Sequence, residues 1–160
     1  DYALSNLIGD SNLIIPYDST NTIISGESRL ETLDEPWNKK TDVASTKSIQ
    51  VKTTTMDNFV SQNNLKQLHF VKIDVEGNER LVLEGGQDTF RNYKPKLILE
   101  AGCEKKEDRG EISSLLQSWS YEIIGIILPH GIADVKWDQY VALSNPFEEK
   151  YPVNVLFIPS

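Results

Sequence analysis

The sequence predicts an α/β domain in which helices pack on a mostly parallel sheet. Two short runs of aliphatic and β-branched residues, at 69–75 and 96–101, have the composition of buried strands, and each has a carboxylate near its end. A helical segment that begins near Asn78 separates them, and an amphipathic segment precedes a third apolar run at 121–128. This alternation of strand and helix favours parallel strands joined by right-handed crossovers.

The chain before these elements is predicted to be less regular. The first 48 residues are rich in Ser, Thr, Asn and Asp, so we expect a loop-rich lead-in with brief strands. Residues 49–55 alternate between apolar and polar side chains, which indicates a strand with one buried face. Thr54 and Asp57 have the spacing of a capping box, so a short helix is predicted to begin there.

The remaining elements follow from periodicity and from chain-breaking residues. Gly85 and Gly86 should end or kink the helix that begins near Asn78. One face of a later helix carries an apolar stripe, formed by Ile112, Leu115, Leu116 and Trp119. We expect a short strand at 139–143 and a last strand at 153–158 that pairs antiparallel with its neighbour. Residues 49–160 would then form the sheet and helices of a single 160-residue domain.

The amino-acid composition limits which binding partners and which cellular compartment we expect for the protein. The chain has 24 acidic and 16 basic residues, a formal net charge of -8, which disfavours binding to nucleic acid and to anionic membranes. A single cysteine, Cys103, excludes an intramolecular disulfide and a zinc site with several thiolates. No apolar run reaches the roughly 20 residues of a membrane-spanning helix. We therefore expect a cytoplasmic protein with neither nucleic acid nor membrane as partner.

Carboxylates mark the expected functional edge of the sheet. Asp74, Glu76 and Glu100 lie at the carboxyl ends of two predicted strands, where open α/β sheets bind their ligands. Side chains two apart on a strand share a face, so Lys72 and Asp74 should point to the same side. Such carboxylates can accept a proton, ligate a hard divalent cation or hold a cationic cofactor, and the sequence does not rank these tasks.

A structural alternative stands beside this interpretation. Lys72 and Glu100 could form a buried ion pair, and Glu76 could simply favour the positive end of a helix. Gly77 is expected to permit a positive φ angle or a close approach to a ligand. His130, in the loop after the third apolar run, is placed to reach a substrate or to lie in solvent. The loops 26–47 and 129–150 should determine substrate specificity.

Several motifs in this order resemble the FkbM-type methyltransferases. They are KIDVEGNE at 72–79, VLEG at 82–85, KPK at 94–96 and the following strand that ends in Glu100. The segment TTMDNF at 54–59 is similar to the lead-in of that family, and the firm part of the match covers 49–101. Their combined order and spacing are much more specific than any one short motif.

The resemblance implies a Rossmann-like class I methyltransferase sheet and transfer of a methyl group from S-adenosylmethionine to an oxygen. The acceptor would be a hydroxyl of a sugar or a secondary metabolite, hence a small molecule or a glycan. Asp74 and Glu76 would be catalytic, with Asp74, Val75 and Glu76 beside the cofactor. Glu100 and His130 would bind the acceptor. A divalent metal is compatible with these carboxylates, but no sequence pattern supports one.

The sequence departs from the family pattern at the donor site. The family has a Gly-rich turn after its first strand and an acidic residue at the end of its second, and neither is found in this chain. Residues 2–5 look like the third strand of the family. We therefore expect a carboxyl-terminal portion of a methyltransferase, whose N-terminal strands and donor loop lie upstream of Asp1. Alone, it should be inactive and bind the donor weakly or not at all.

Two other hypotheses belong to different classes. The chain could be a non-catalytic interaction module that retains the methyltransferase-like sheet and presents its acidic face to a partner. It could also be an unrelated parallel-sheet enzyme with a metal at Asp74. An exposed sheet edge, left by the two missing strands, would in addition favour self-association.

Overall fold

The structure of the protein is a computed structural model that describes residues 2–24, 26–31, 43–101, 106–142 and 153–160, without the side chains of 106 and 107. These residues form two mixed β-sheets and five helices, so the predicted α/β class is confirmed. Cys103 lies outside the described residues, and so do residues 32–42 and 143–150 of the two loops expected to determine acceptor specificity.

The first sheet combines the segment predicted to be loop-rich with the strand predicted at 49–55. Its four strands are β1 (Ala3–Leu4), β2 (Gly9–Tyr17), β3 (Arg29–Leu30) and β4 (Ser45–Thr54), in the order β1-β4-β2-β3. Strands β2 and β4 pair antiparallel along the whole of β2, whereas β1 pairs parallel with β4. The strand predicted at 49–55 is therefore confirmed within β4, whereas β2 is longer than the brief strand expected there. The first part of β4 was not predicted, because its residues are polar and exposed.

The second sheet carries the motifs that resemble the family. Its five strands are β5 (Phe70–Ile73), β6 (Lys96–Ala101), β7 (Tyr121–Leu128), β8 (Gly131–Ala133) and β9 (Val153–Pro159), in the order β5-β6-β9-β7-β8. Only β5 and β6 are parallel neighbours. The last strand is antiparallel, as predicted, and it pairs with both β6 and β7.

Two predictions about this sheet are wrong. It is not mostly parallel, because β9 lies between β6 and β7 and runs opposite to both. The segment that contains β5 was expected to be a central strand, but β5 lies at one end of the sheet and pairs only with β6 among the described strands. Its alternate side chains, Phe70 and Lys72, are consequently exposed.

The five helices are α1 (Met56–Gln62), α2 (Glu79–Glu84), α3 (Gln87–Tyr93), α4 (Lys106–Ser118) and α5 (Trp137–Ala142). Helix α5 occupies most of the segment for which we predicted a short strand. Thr55, not Thr54, caps α1, because its Oγ1 accepts a 3.1 Å hydrogen bond from the N–H of Asn58. No helix in the described part of the chain is long and apolar enough to cross a membrane.

Asp57 links α1 to α3 instead of closing a capping box. Its Oδ1 accepts hydrogen bonds from the N–H and the hydroxyl of Thr89, at 2.7 and 2.6 Å, in the first turn of α3. An acidic side chain at a helix N-terminus satisfies N–H groups that have no partner within the helix. The carboxylate therefore fixes the position of α3 against α1.

The helices and one face of the second sheet share a single apolar core. Residues at alternate positions of β5, β6 and β9 pack against all five helices. Phe90 of α3 stacks on Trp119, with ring centroids 5.6 Å apart. The stripe predicted for α4 is confirmed, since Ile112 and Leu116 are fully buried. The other face of β5 and β6 carries the polar residues considered below.

Candidate functional site

The candidate site lies at the carboxyl ends of β5 and β6. Lys72 is in register with Ile98, and Ile73 with Leu99, so the parallel pairing places Asp74 beside Glu100 just beyond the last pair. Residues in register on neighbouring strands point to the same face of a sheet. The structure thus brings Lys72, Asp74 and Glu100 together on one face, as the sequence predicted.

Lys72 forms an ion pair with Asp74, and their side chains are 47% and 38% exposed. The hydrogen bond from Lys72 lowers the pKa of Asp74 below its usual value, and the same bond raises the pKa of Lys72. Asp74 is therefore ionised at neutral pH. The lysine does not form the buried ion pair with Glu100 that we considered as a structural alternative.

Glu100 has the opposite electrostatic character. Its side chain is 8% exposed, and burial raises its pKa to about 7, with a further contribution from the hydrogen bond and the charge of Asp74. A buried carboxyl group next to an ionised one keeps its proton, because two like charges are not stable together in a poorly solvated place. Near neutral pH, Glu100 thus exchanges its proton readily, a property suited to general acid–base chemistry.

The turn between β5 and α2 carries the third carboxylate. Glu76 has φ 53° and Gly77 has φ 97°, so two successive residues adopt left-handed backbone conformations. The positive φ predicted for Gly77 is confirmed. A non-glycine residue in this region is uncommon and costs free energy unless its surroundings hold it in place.

Glu79 holds this turn, and the sequence did not single it out. It is fully buried, and its Oε1 accepts hydrogen bonds from the N–H groups of Val75, at 3.3 Å, and Gly77, at 3.1 Å. Acidic residues are common at the first position of a helix, so Glu79 did not stand out in the sequence as a residue with a special role. The available signal was local, since Glu79 lies two residues after a glycine that needs a positive φ.

Three of the predicted site residues converge. Asp74, Glu76 and Glu100 each offer a carboxylate oxygen, and these three atoms lie within 4.8 Å of one another. Val75 lies on the same turn and packs its side chain against the core. The set could accept a proton from a hydroxyl, ligate a hard divalent cation or hold a cationic cofactor, which are the three tasks that the sequence left open.

His130 is the one predicted site residue that stands apart. It lies in the turn between β7 and β8 and is exposed. Strand β7 ends at the same edge of the sheet as β6, because both are antiparallel to β9, which lies between them. Two strand spacings, about 10 Å, separate β7 from β6. The imidazole therefore lies at the same edge of the sheet as the carboxylates but not among them.

Comparison with known families assigns the chain. The model of the FkbM methyltransferase domain matches residues 1–123, which is more than half of the chain and includes all three carboxylates. The chain belongs to the FkbM methyltransferase family. The resemblance drawn from the sequence motifs is therefore confirmed. Comparison with curated proteins and with solved structures finds no match.

Membership in the FkbM family implies S-adenosylmethionine as the methyl donor, and the site fits one part of that molecule. Its sulfonium group is cationic, and the ionised Asp74 near Glu76 is a suitable neighbour for it. In Rossmann-like sheets a Gly-rich turn after a strand commonly holds a nucleotide cofactor. No strand among the described residues leads into such a turn. Asp74 and Glu76 could thus lie beside the methyl-bearing end, whereas the Val75 side chain packs against the core and leaves only its backbone to contact the donor.

Proposed function

We propose that the protein is a Rossmann-like O-methyltransferase that acts on a hydroxyl of a sugar or of a secondary metabolite. The observation that carries this proposal is the convergence of Asp74, Glu76 and Glu100 at the carboxyl ends of β5 and β6, within the segment matched by the FkbM family model. Methyl transfer to a hydroxyl needs an oriented oxygen and a proton acceptor, and carboxylates supply both.

Each carboxylate would have its own role. S-adenosylmethionine, when bound, supplies the electrophilic methyl group. Asp74 stays ionised and accepts a hydrogen bond from the acceptor hydroxyl, which orients its oxygen. Glu76 contributes negative charge from the turn. Glu100 has a pKa of about 7, so a large fraction of it is ionised at neutral pH, and this ionised form takes the hydroxyl proton as the new bond forms. His130 would contact a more distant part of the acceptor.

The test measures methyl transfer with protein purified from its complete reading frame, because the 160-residue chain alone is expected to be inactive. Donor labelled in the methyl group is offered with a panel of sugars, polyols and aromatic alcohols, and both the labelled product and S-adenosylhomocysteine are quantified. We expect Glu100→Gln and Asp74→Asn to lower kcat/KM by about 100-fold or more, because loss of a positioned acid–base group has an effect of this size.

Glu122→Gln is the matched control. Glu122 is exposed on β7, at the opposite edge of the sheet from the site, so this variant removes one charge without touching the carboxylates. It should retain wild-type activity. Full activity of Glu100→Gln, or a wild-type protein that never converts the donor with any acceptor of the panel, would contradict the proposal.

A further inference from the structure

The distance among the three carboxylates is that of ligands around one ion. Oxygen ligands lie about 2.0–2.1 Å from Mg²⁺ and about 2.3–2.6 Å from Ca²⁺, so two oxygens on the same ion are at most about 4.2 Å apart around Mg²⁺ and about 5 Å apart around Ca²⁺. The oxygens of Asp74, Glu76 and Glu100 lie within 4.8 Å of one another, inside the limit for Ca²⁺ and close to that for Mg²⁺. Proximity alone does not make a metal site, because acidic clusters also occur on ordinary surfaces.

A second observation points to a ligand. Glu100 is 8% exposed, and its Oε2 is buried without a hydrogen-bond partner in the part of the chain that the structure describes. Asn154 of β9 is directly in register with Glu100, so both side chains point to one face of the sheet. Its Oδ1 is likewise buried and lacks a hydrogen-bond partner among the described residues. Buried oxygens are normally satisfied, and a cation satisfies several at once.

We propose that Asp74, Glu76 and Glu100 bind a single hard divalent cation such as Mg²⁺, with the side-chain oxygen of Asn154 close to the same position. An all-oxygen ligand set favours Mg²⁺, Mn²⁺ or Ca²⁺ over softer metals. The chain supplies three carboxylates, and solvent or an acceptor oxygen fills the remaining positions.

Lys72 competes with the cation for Asp74. Its ammonium group forms an ion pair with that carboxylate, but both side chains are partly exposed. Exposed ion pairs contribute about 0–1 kcal/mol, so a divalent ion can replace the lysine at little cost. The lysine carries a long flexible stem and can turn towards solvent. Removal of its charge should therefore strengthen cation binding.

This inference rests on the same residues as the proposed function and deepens it. A cation at this position would hold the acceptor hydroxyl and lower its pKa, which reduces the demand on a single carboxylate as base. Cation binding is measured without donor or acceptor. A protein that binds the cation but transfers no methyl group would retain this inference and contradict the proposed function alone.

The test uses protein treated with a chelator and dialysed. Mn²⁺ binding is followed by loss of the electron paramagnetic resonance signal of the free ion, and Mg²⁺ is titrated by calorimetry. We expect one ion per chain with a Kd between about 10 µM and 1 mM. Glu100→Gln and Glu76→Gln should each weaken binding about ten-fold or more, and Lys72→Met should strengthen it about three-fold or more.

Glu122→Gln serves again as the charge-matched control and should keep its affinity within about two-fold, the scatter expected for a remote surface charge. Circular dichroism of each variant confirms that it is folded, and Glu76→Gln, on a half-buried turn, tests the site independently of the buried Glu100. No saturable binding at about 5 mM Mn²⁺, or equal affinity in all four variants, overturns the inference.

Discussion

Glu79→Ala tests whether a single buried carboxylate holds the turn that presents Asp74 and Glu76. The substitution removes the acceptor of two backbone N–H groups, those of Val75 and Gly77. Each lost bond costs about 1 kcal/mol, and the N–H groups left without an acceptor add to this cost. We expect the free energy of unfolding to fall by about 3 kcal/mol. Glu79→Gln retains an acceptor oxygen and should lose about 1 kcal/mol.

Urea unfolding followed by circular dichroism measures both effects, because a change in midpoint at constant slope reports a change in stability. Glu122→Ala is the control, and an exposed position of this kind should change stability by no more than about 0.5 kcal/mol. If Glu79→Ala unfolds within about 0.5 kcal/mol of the wild type, the turn is held by other contacts and the reasoning fails.

Three other predictions concern stability. Asp57→Ala should cost about 2 kcal/mol in urea unfolding, because the first turn of α3 loses its acceptor; an unchanged midpoint would contradict that link. Gly85→Ala should lower Tm by several degrees, since a Cβ would lie 2.2 Å from the carbonyl oxygen of Ser5, whereas Gly110→Ala, with open space around it, should not. In chelator, the raised pKa of Glu100 means that the folded state binds more protons than the unfolded state between the ordinary value of 4.5 and about 7. Stability should thus fall by at most about 3 kcal/mol as pH rises through this window, and Glu100→Gln should abolish that dependence.

Elements with a strong local pattern could be predicted from the sequence. The strand predicted at 121–128 coincides with β7, and that at 96–101 coincides with β6. The two adjacent glycines separate α2 from α3, as expected. These features depend on neighbours along the chain, namely periodicity, capping and the conformational freedom of glycine, so the sequence contains the information directly.

Pairing between distant strands could not be predicted in this way. Strand β9 inserts between β6 and β7, an arrangement that no local pattern encodes. The segment that contains Tyr140 was assigned to a strand, yet its apolar residues Trp137, Tyr140 and Val141 have helical spacing. Tyr140 is fully buried, and its ring centroid lies 5.6 Å from that of Phe157 in β9. The helix is thus stabilised by a contact across the fold.

The convergence of Asp74, Glu76 and Glu100 could be predicted, but the charge states of these residues could not, and the position of Lys72 explains why. The lysine could pair with either of two carboxylates, and burial decides between them. Asp74 is partly solvated, so an ion pair with it requires little desolvation, whereas an ion pair with Glu100 would require the ammonium group to be buried as well. The lysine therefore remains with Asp74. Glu100 lies in β6, which is flanked by β5 and β9, and among the described residues the charges that raise its pKa are those of Asp74, Glu76 and Glu79. One carboxyl group is held ionised and the other retains a proton near neutrality, a division that depends on the order of the strands and so on the part of the fold that the sequence could not predict.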